Sequence, residues 1–422
     1  MDNVTHSLLG VVLADATLGT RAARSRRPLF VGAGVIAANL PDIDLAYSAM
    51  TPAPLGYLLH HRGHTHTFVG LGVLLLLLIM AYRLLPPVRT MRGGERLRLW
   101  LLIAIALASH LAMDALNSYG VHPFYPVDNT WYYGDAVFVF EPALWVVLGV
   151  AVAWNARSGA SKLAAAAPIF VLLVVIASIE VVPLESATVL GVTGALLAWV
   201  ARRMTLRARA ALVLAATLVV IVGSVAASRG ARAGVLRAMQ PQLRGRLVDV
   251  ILTPNPASPL CWGVIAIESI DARGEYVLWR GTLSLAPGAK APTACASSQL
   301  AGLGDTRPVG DGRLVLAGEV HQSLMRLRDL SRDCWTGAWL RFGRAPVITG
   351  EEIFDLRFAD RGARAFTRMR IARRPGDSAC PSFVPPWRMP RSDLFTSTSP
   401  VFQKSARTHL DSGGSADWSS GF

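Results

Sequence analysis

The chain has 422 residues, of which 52% are hydrophobic, with a net charge of +14. So apolar a composition over this length excludes an ordinary soluble enzyme and points to a membrane protein. The positive charge falls in short loops between apolar stretches, where it sets topology, so no nucleic-acid partner is expected.

Taken in chain order, apolar runs of membrane-spanning length, roughly 20 residues each, cover 67–85, 98–116, 137–155, 163–182 and 210–228, with weaker ones at 29–45 and 187–201. The first apolar segment, 4–18, is short, carries Asp15 and is read as dipping into the bilayer. Its basic cluster follows the apolar run rather than preceding it, which argues against a signal peptide. Basic clusters at Arg21–Arg27, Arg83–Arg98, Arg157–Lys162 and Arg202–Arg209 are each two crossings apart, so all can face the cytoplasm. Loops 46–66 and 117–136 then face outward. The arginines between 229 and 246 disagree with this pattern.

The expected architecture is a mainly α membrane protein. A polytopic bundle of about seven transmembrane helices spans 1–228, and a basic connector covers 229–246. A soluble β-rich domain occupies 247–390, where VDVILT, WGVIAIESI, EYVLWRGTLSL and RLVLAGEV read as strands. A tail at 391–422 has the composition of a disordered segment. All four cysteines lie after the last membrane helix and match no zinc ribbon. They form one or two disulfides if that domain is exported, or remain four separate thiols.

Seven of the nine histidines precede residue 125. Placed on the topology, His6, Asp42, Asp44, the run His60 to His66, His110, Asp114 and Glu141 all fall toward the outward side. His110 and Asp114 are four apart, hence on one helix face. An aspartate in an apolar helix is costly unless paired or metal-bound. In LPDID, Pro41 ends a helix and leaves Asp42 and Asp44 close together, where they repel unless a cation holds them. In HHRGHTHTF, His61 and His66 are the preferred ligands and His60 and His64 the exposed spectators. Arg62 either clamps an anionic substrate oxygen, pairs with an aspartate or snorkels to the interface.

A mixed His and Asp set suits Zn²⁺, with Mn²⁺ or Fe²⁺ as alternatives. Seven donors (His6, Asp42, Asp44, His61, His66, His110 and Asp114) exceed what one tetrahedral ion needs and suggest two or three ions. Such a centre activates water for hydrolysis, with Asp42 or Asp44 as general base. The competing readings are a metal transporter and a non-catalytic envelope protein that binds metal for folding.

The motifs TH, LPDID, HRGHTHT and SHLAMDALNSYGVHPFYP together resemble those of the YdjM-like family of membrane-bound, predicted metal-dependent hydrolases. The likeness covers about residues 1–145, and LTPNPASPLCW resembles a soluble extension that some members carry. The resemblance implies an inner-membrane location, in contact with the lipid bilayer. It selects His6, Asp42, Asp44, His61, Arg62, His66, His110 and Asp114, leaves His64 at a variable position, and finds Thr67 where serine is usual. The order of ligands is also similar to that of the three-zinc phospholipase C and single-strand nuclease superfamily, which would add His122 and Glu141 and imply a phosphodiester, such as a phospholipid, as substrate. In that likeness Trp131 and Asp135 would line the entrance. The preferred expectation for Trp131, Tyr132 and Tyr133 is an interfacial aromatic belt. Nothing in the residues sets the oligomeric state.

Overall fold

The computed structural model describes residues 1–18, 25–155, 182–295, 306–359, 365–371 and 380–395. The helical part runs α1 (Asn3–Thr17), α2 (Arg27–Asn39), α3 (Asp44–Ser48), α4 (Leu55–His60), α5 (Phe68–Arg83), α6 (Pro86–Arg89), α7 (Gly93–Asp114), α8 (Pro142–Asn155), α9 (Leu184–Ala201) and α10 (Leu206–Met239). Local chemistry sets their starts. Asp2 accepts from the Thr5 amide to cap α1, Thr67 from the Gly70 amide to cap α5, and Thr205 from the Ala208 amide to cap α10.

Among the described residues four helical segments are long and apolar enough to cross a membrane: Arg27–Ser48, Gly93–Asp114, Leu184–Ala201 and Leu206–Gln242. A fifth is counted if Leu55–His66 and Phe68–Arg83, bent by 67°, form one broken span. The expected seven are therefore not reached. The run at 137–155 forms a helix of only 14 residues, short of the roughly 20 a crossing needs, and the run at 4–18, expected only to dip into the bilayer, forms one of 15. The run at 163–182, the basic residues Arg21, Arg24, Arg157 and Lys162, and the tail from 396 onward lie outside the described residues, save Val182.

Asp15 does not face lipid. Its two oxygens accept from Arg27 Nε and Nη2 at 2.7 and 2.9 Å, and Asn155 Nδ2 adds a third bond at 2.7 Å. A buried carboxylate is tolerable because it is paired in this way. At the middle of the bundle α1 and α2 cross backbone to backbone. A Cβ on Gly10 would sit 2.6 Å from the Gly34 carbonyl oxygen, and one on Gly34 2.4 Å from that of Gly10. Such small residues let membrane helices approach closely.

The supposed connector 229–246 is mostly helix. α10 continues to Met239, where Ala231, Val235, Ala238 and Met239 are buried against Trp262, Val264 and Leu316 of the next domain. Apolar residues at helical spacing carry the helix out of the bundle and into the β-domain's core. The discordant arginines thus line a domain junction, and Arg232 pairs there with Asp135 at 3.2 Å.

The C-terminal domain has a five-stranded antiparallel sheet in the order β1-β2-β3-β5-β4, built from Arg246–Asn255, Ser258–Ile270, Glu275–Ser284, Arg307–Val309 and Leu314–Ser323 for β1 to β5. After α11 (Leu324–Ser331) and α12 (Cys334–Leu340) comes a small sheet of β6 (Pro346–Thr349), β7 (Glu352–Asp355) and β8 (Met369–Arg370). All four cysteines are paired, Cys261 with Cys295 and Cys334 with Cys380.

This domain sits on the end of the bundle that carries the histidines. One apolar cluster joins Leu55, Leu58, Leu59, Tyr119 and Trp131 to Trp339 and Phe342. Trp131 Nε1 donates to the Arg341 carbonyl at 2.6 Å, and Trp387 Nε1 to the Leu59 carbonyl at 2.8 Å. The expected aromatic belt is therefore corrected. Trp131 is buried under the cap, Tyr133 lies beneath Arg344 with 4.0 Å from guanidinium carbon to ring centre, and of the three only Tyr132 is exposed.

Candidate metal centre

Asp42, Asp44, His61 and His66 reach the site through breaks in regular structure, and His6, His110 and Asp114 from helices. Pro41 lacks an amide hydrogen, so α2 gives way to a 3-10 turn (Leu40–Ile43) that presents Asp42, and Asp44 opens α3. The broken span supplies the histidines. His61 follows α4, Arg62 takes a left-handed φ of 60°, and His66 ends the 3-10 turn His64–His66. Irregular backbone at such a depth is tolerated where it lines a site inside protein. His110 and Asp114 stand one turn apart at the end of α7. The close crossing of α1 on α2 brings His6 against His110, their rings stacked with centroids 3.9 Å apart.

Ligand-type atoms of Asp42, His66, His110 and Asp114 all lie within 4.8 Å of one another, and so do those of Asp42, Asp44 and His61. His66 Nε2 and His110 Nε2 face each other at 3.0 Å. Each is 3.5 Å from Asp42 Oδ1, and they lie 3.3 and 3.8 Å from Asp114 Oδ2. His6 Nε2 is 3.3 Å from Asp114 Oδ1.

The outer partners determine which nitrogens carry hydrogen. His110 Nδ1 lies 2.6 Å from the Ala38 carbonyl, an acceptor only, so Nδ1 is protonated. His66 Nδ1 lies 3.1 Å from Asp44 Oδ2 and takes the same tautomer. In the neutral rings both Nε2 atoms then present lone pairs to each other and to two carboxylates. Such an arrangement repels unless a cation lies between them. Both ring nitrogens of buried His6 also lack a hydrogen-bond partner, which buried polar groups seldom do. These donors fit a metal ion.

Asp44 has a different place from Asp42. Its oxygens already accept from His61 Nδ1 at 3.2 Å, the Arg62 amide at 2.8 Å, Thr65 Oγ1 at 2.9 Å and His66 Nδ1. Asp42 is less buried and accepts one bond, from Asn3 Nδ2 at 3.0 Å. Arg62 directs Nε to Asp114 Oδ2 at 2.9 Å and Nη1 to Asn117 Oδ1 at 2.8 Å, and it lies over the Tyr119 ring. The Met1 amino group donates to Asp114 Oδ1. Asn3, Thr65, Asn117 and Tyr119 were not singled out in the sequence. Their only signal was adjacency to His6, His66 and Asp114.

Two expected ligands stand elsewhere. His122 is buried between Trp131 and Trp387, ring centroids 3.6 and 4.0 Å away, and burial pushes its imidazole down to about 3, so it is neutral. Glu141 accepts from the amides of Ala143 and Ala257 at 3.2 and 3.1 Å and so joins the bundle to the β1–β2 turn. Neither shares a ligand group with the others, because the loop that carries them folds up against the cap. Asp135, considered for the entrance, is locked by Arg344. His64 is exposed as expected, whereas His60 is buried and hydrogen-bonds Thr51 Oγ1 at 3.0 Å.

Comparison with known proteins agrees with this placement of the motifs in the N-terminal part. Residues 1–187 match the family described as YdjM inner membrane protein. The inner membrane protein YbcI of Escherichia coli (strain K12) is 34% identical over 124 residues, 29% of this chain and 64% of that protein. The uncharacterized protein YfhP of Bacillus subtilis (strain 168) is 25% identical over 151 residues, 35% of this chain and 43% of that protein. The chain thus spans about half the length of the curated relatives it matches. No solved structure matches it. Residues 1–187, which contain every donor of the centre, are thus similar to the YdjM inner membrane protein family, and the protein is a multi-pass protein of the inner membrane.

Proposed function

We propose that the protein is a membrane-bound metal-dependent hydrolase that cleaves a phosphodiester or related ester, with phospholipids among the candidate substrates. The observation that carries this reading is the pair of facing Nε2 lone pairs on His66 and His110, 3.0 Å apart and flanked by Asp42 and Asp114. These four residues would hold one ion, with His6 beside Asp114. Asp42 and His61, which converge beside Asp44, are the candidates for a second. The nitrogen and carboxylate donors suit Zn²⁺, with Mn²⁺ or Fe²⁺ as alternatives. A bound ion of this kind supplies Lewis acidity and a water of lowered pKa.

The chain's own residues do the remaining work. Asp42 borders an open cavity and accepts one hydrogen bond, so in the alternative where it is general base rather than ligand it is placed to accept the attacking water's proton. Asp44, with four donors on its oxygens, orients His61 and His66 instead. Arg62 lines the same cavity and presents its charge to an anionic ester oxygen. The two disulfides support an extracytoplasmic side for the cap, and with it for the site it covers.

The test is metal analysis of the purified full-length protein, followed by turnover of bis(4-nitrophenyl) phosphate. His66→Ala and Asp114→Ala are each expected to lose most of the bound metal. Full retention in both overturns the ligand assignment. Arg62→Lys is expected to keep the metal and lose at least about tenfold in turnover, since an ammonium does not reproduce the guanidinium fork. Metal uptake into proteoliposomes without turnover would favour transport.

A further inference from the structure

A cavity of about 880 Å³ lies where the two domains meet. One end is polar and belongs to the metal centre, with Asp42, His61 and Arg62. The remainder is walled mainly by apolar groups: Leu45 of α3, the stretch 137–140, and Phe358 and Phe366 of the C-terminal domain. Its volume is near the top of the range of ligand pockets, about 300–1,000 Å³.

The apolar wall is open rather than packed. Leu45, Phe140 and Phe366 are 44%, 53% and 44% exposed. A small anion such as phosphate would occupy only the polar end and leave this surface uncovered. Contiguous apolar surface beside a charged site calls for a ligand with both characters. Arg62 lines the polar end while pairing with Asp114, and with an ion balancing the carboxylates there its guanidinium favours an anionic head.

We propose that this cavity binds a single-chain anionic amphiphile. Its phosphate-type head sits at Arg62, and its alkyl chain runs along residues 137–140 and under Phe358 and Phe366. The place of the head rests on the hydrolase reading of the metal centre. The chain's path gives the C-terminal domain a role: it supplies one wall of the substrate site. Arg357 holds that wall in position, donating from Nη1 to the Ser118 carbonyl at 2.6 Å and from Nε and Nη2 to Asp355.

The test is photolabelling of the full-length protein in lipid nanodiscs, using dodecyl phosphate with a diazirine near the chain end. Labelled peptides are expected to contain residues 137–140 and Phe358 or Phe366. Unlabelled dodecyl phosphate is expected to compete at concentrations at least tenfold below those of methyl phosphate, since each buried methylene adds about fourfold in affinity. Phe140→Ala with Phe366→Ala, both at half-exposed positions the fold tolerates, is expected to cut labelling severalfold at unchanged metal content. Labelling confined to the lipid-facing surface of α5, or equal competition by methyl phosphate, overturns the proposal. Turnover of bis(4-nitrophenyl) phosphate without chain-dependent competition overturns this proposal alone. Chain-dependent labelling in a protein that holds no metal overturns the hydrolase reading alone.

Discussion

Arg344 of the C-terminal domain grips both carboxylate oxygens of Asp135, at 2.8 and 2.9 Å. Asp135 lies in the loop that follows α7 and the metal centre, so this pair ties the cap to the bundle. It is buried on both sides, and Asp249, Arg232 and Arg391 complete the network.

Asp135→Asn tests how much that pair contributes. The backbone at 135 has a φ of 48°, a conformation asparagine tolerates, so the substitution removes charge and little else. Removing one partner of a buried ion pair costs about 3–5 kcal/mol. Asp249 still faces Arg344, so a loss of about 3 kcal/mol and faster protease cleavage between the domains are expected. If the unfolding midpoint and cleavage pattern are unchanged, apolar contacts alone hold the cap.

Asp44→Asn should act on the metal from a distance. The amide offers one acceptor oxygen where the carboxylate served four donors, so His61 and His66 lose their fixed orientation. Loss of such a partner weakens metal binding about 10–100-fold. Competition with a chelator on the purified protein measures this directly. An affinity equal to wild type would remove Asp44 from that role. Thr65→Ala, which deletes one donor to Asp44, should have a smaller effect in the same direction.

Acid should loosen the domain junction through Asp249. Burial disfavours its charge, but Arg344, Arg391 and Arg232 outweigh this and hold its carboxyl down to about 2. A folded pKa below the unfolded value contributes stability above the unfolded pKa, near 4, that is lost as pH falls through the folded one. The window is therefore about pH 4 to 2, and the contribution is about 2 kcal/mol. Unfolding of wild type and Asp249→Asn, followed across that window, should converge as the pH drops. Parallel curves would show that Asp249 is not the titrating group.

The two disulfides predict both stability and side. They close sequence separations of 34 and 46 residues, for which chain entropy gives about 4 kcal/mol each. In intact spheroplasts a membrane-impermeant maleimide should label the four cysteines only after reduction. Labelling that requires lysis would place the cap in the cytoplasm.

Much of the centre was legible in the sequence because its signals are chemical and local. A carboxylate one turn from a histidine in an apolar helix, and two aspartates after a helix-ending proline, are costly unless paired or bound. Asp42, His110 and Asp114 followed from that as candidates, and His6, His61 and His66 from their place on the same outward side and from the family resemblance. The span count was less legible, since hydropathy does not distinguish the 14-residue helix Pro142–Asn155, buried through Trp145 and Leu148, from one that crosses. The extent of α10 was hidden by its arginines, which suggested a linker while the opposite face was building a core.

By itself the sequence determined the class of the protein and a set of candidate donors, because hydrophobicity and donor chemistry belong to single residues. The tertiary structure decided which donors meet and which stand behind them. His122 went to a tryptophan sandwich and Glu141 to a domain contact, while Asp44 became the support of two histidines. Those outcomes depend on a close helix crossing, a broken span at Arg62 and a cap that folds back over the site. Each is a contact between residues distant in sequence, and no local pattern encodes it.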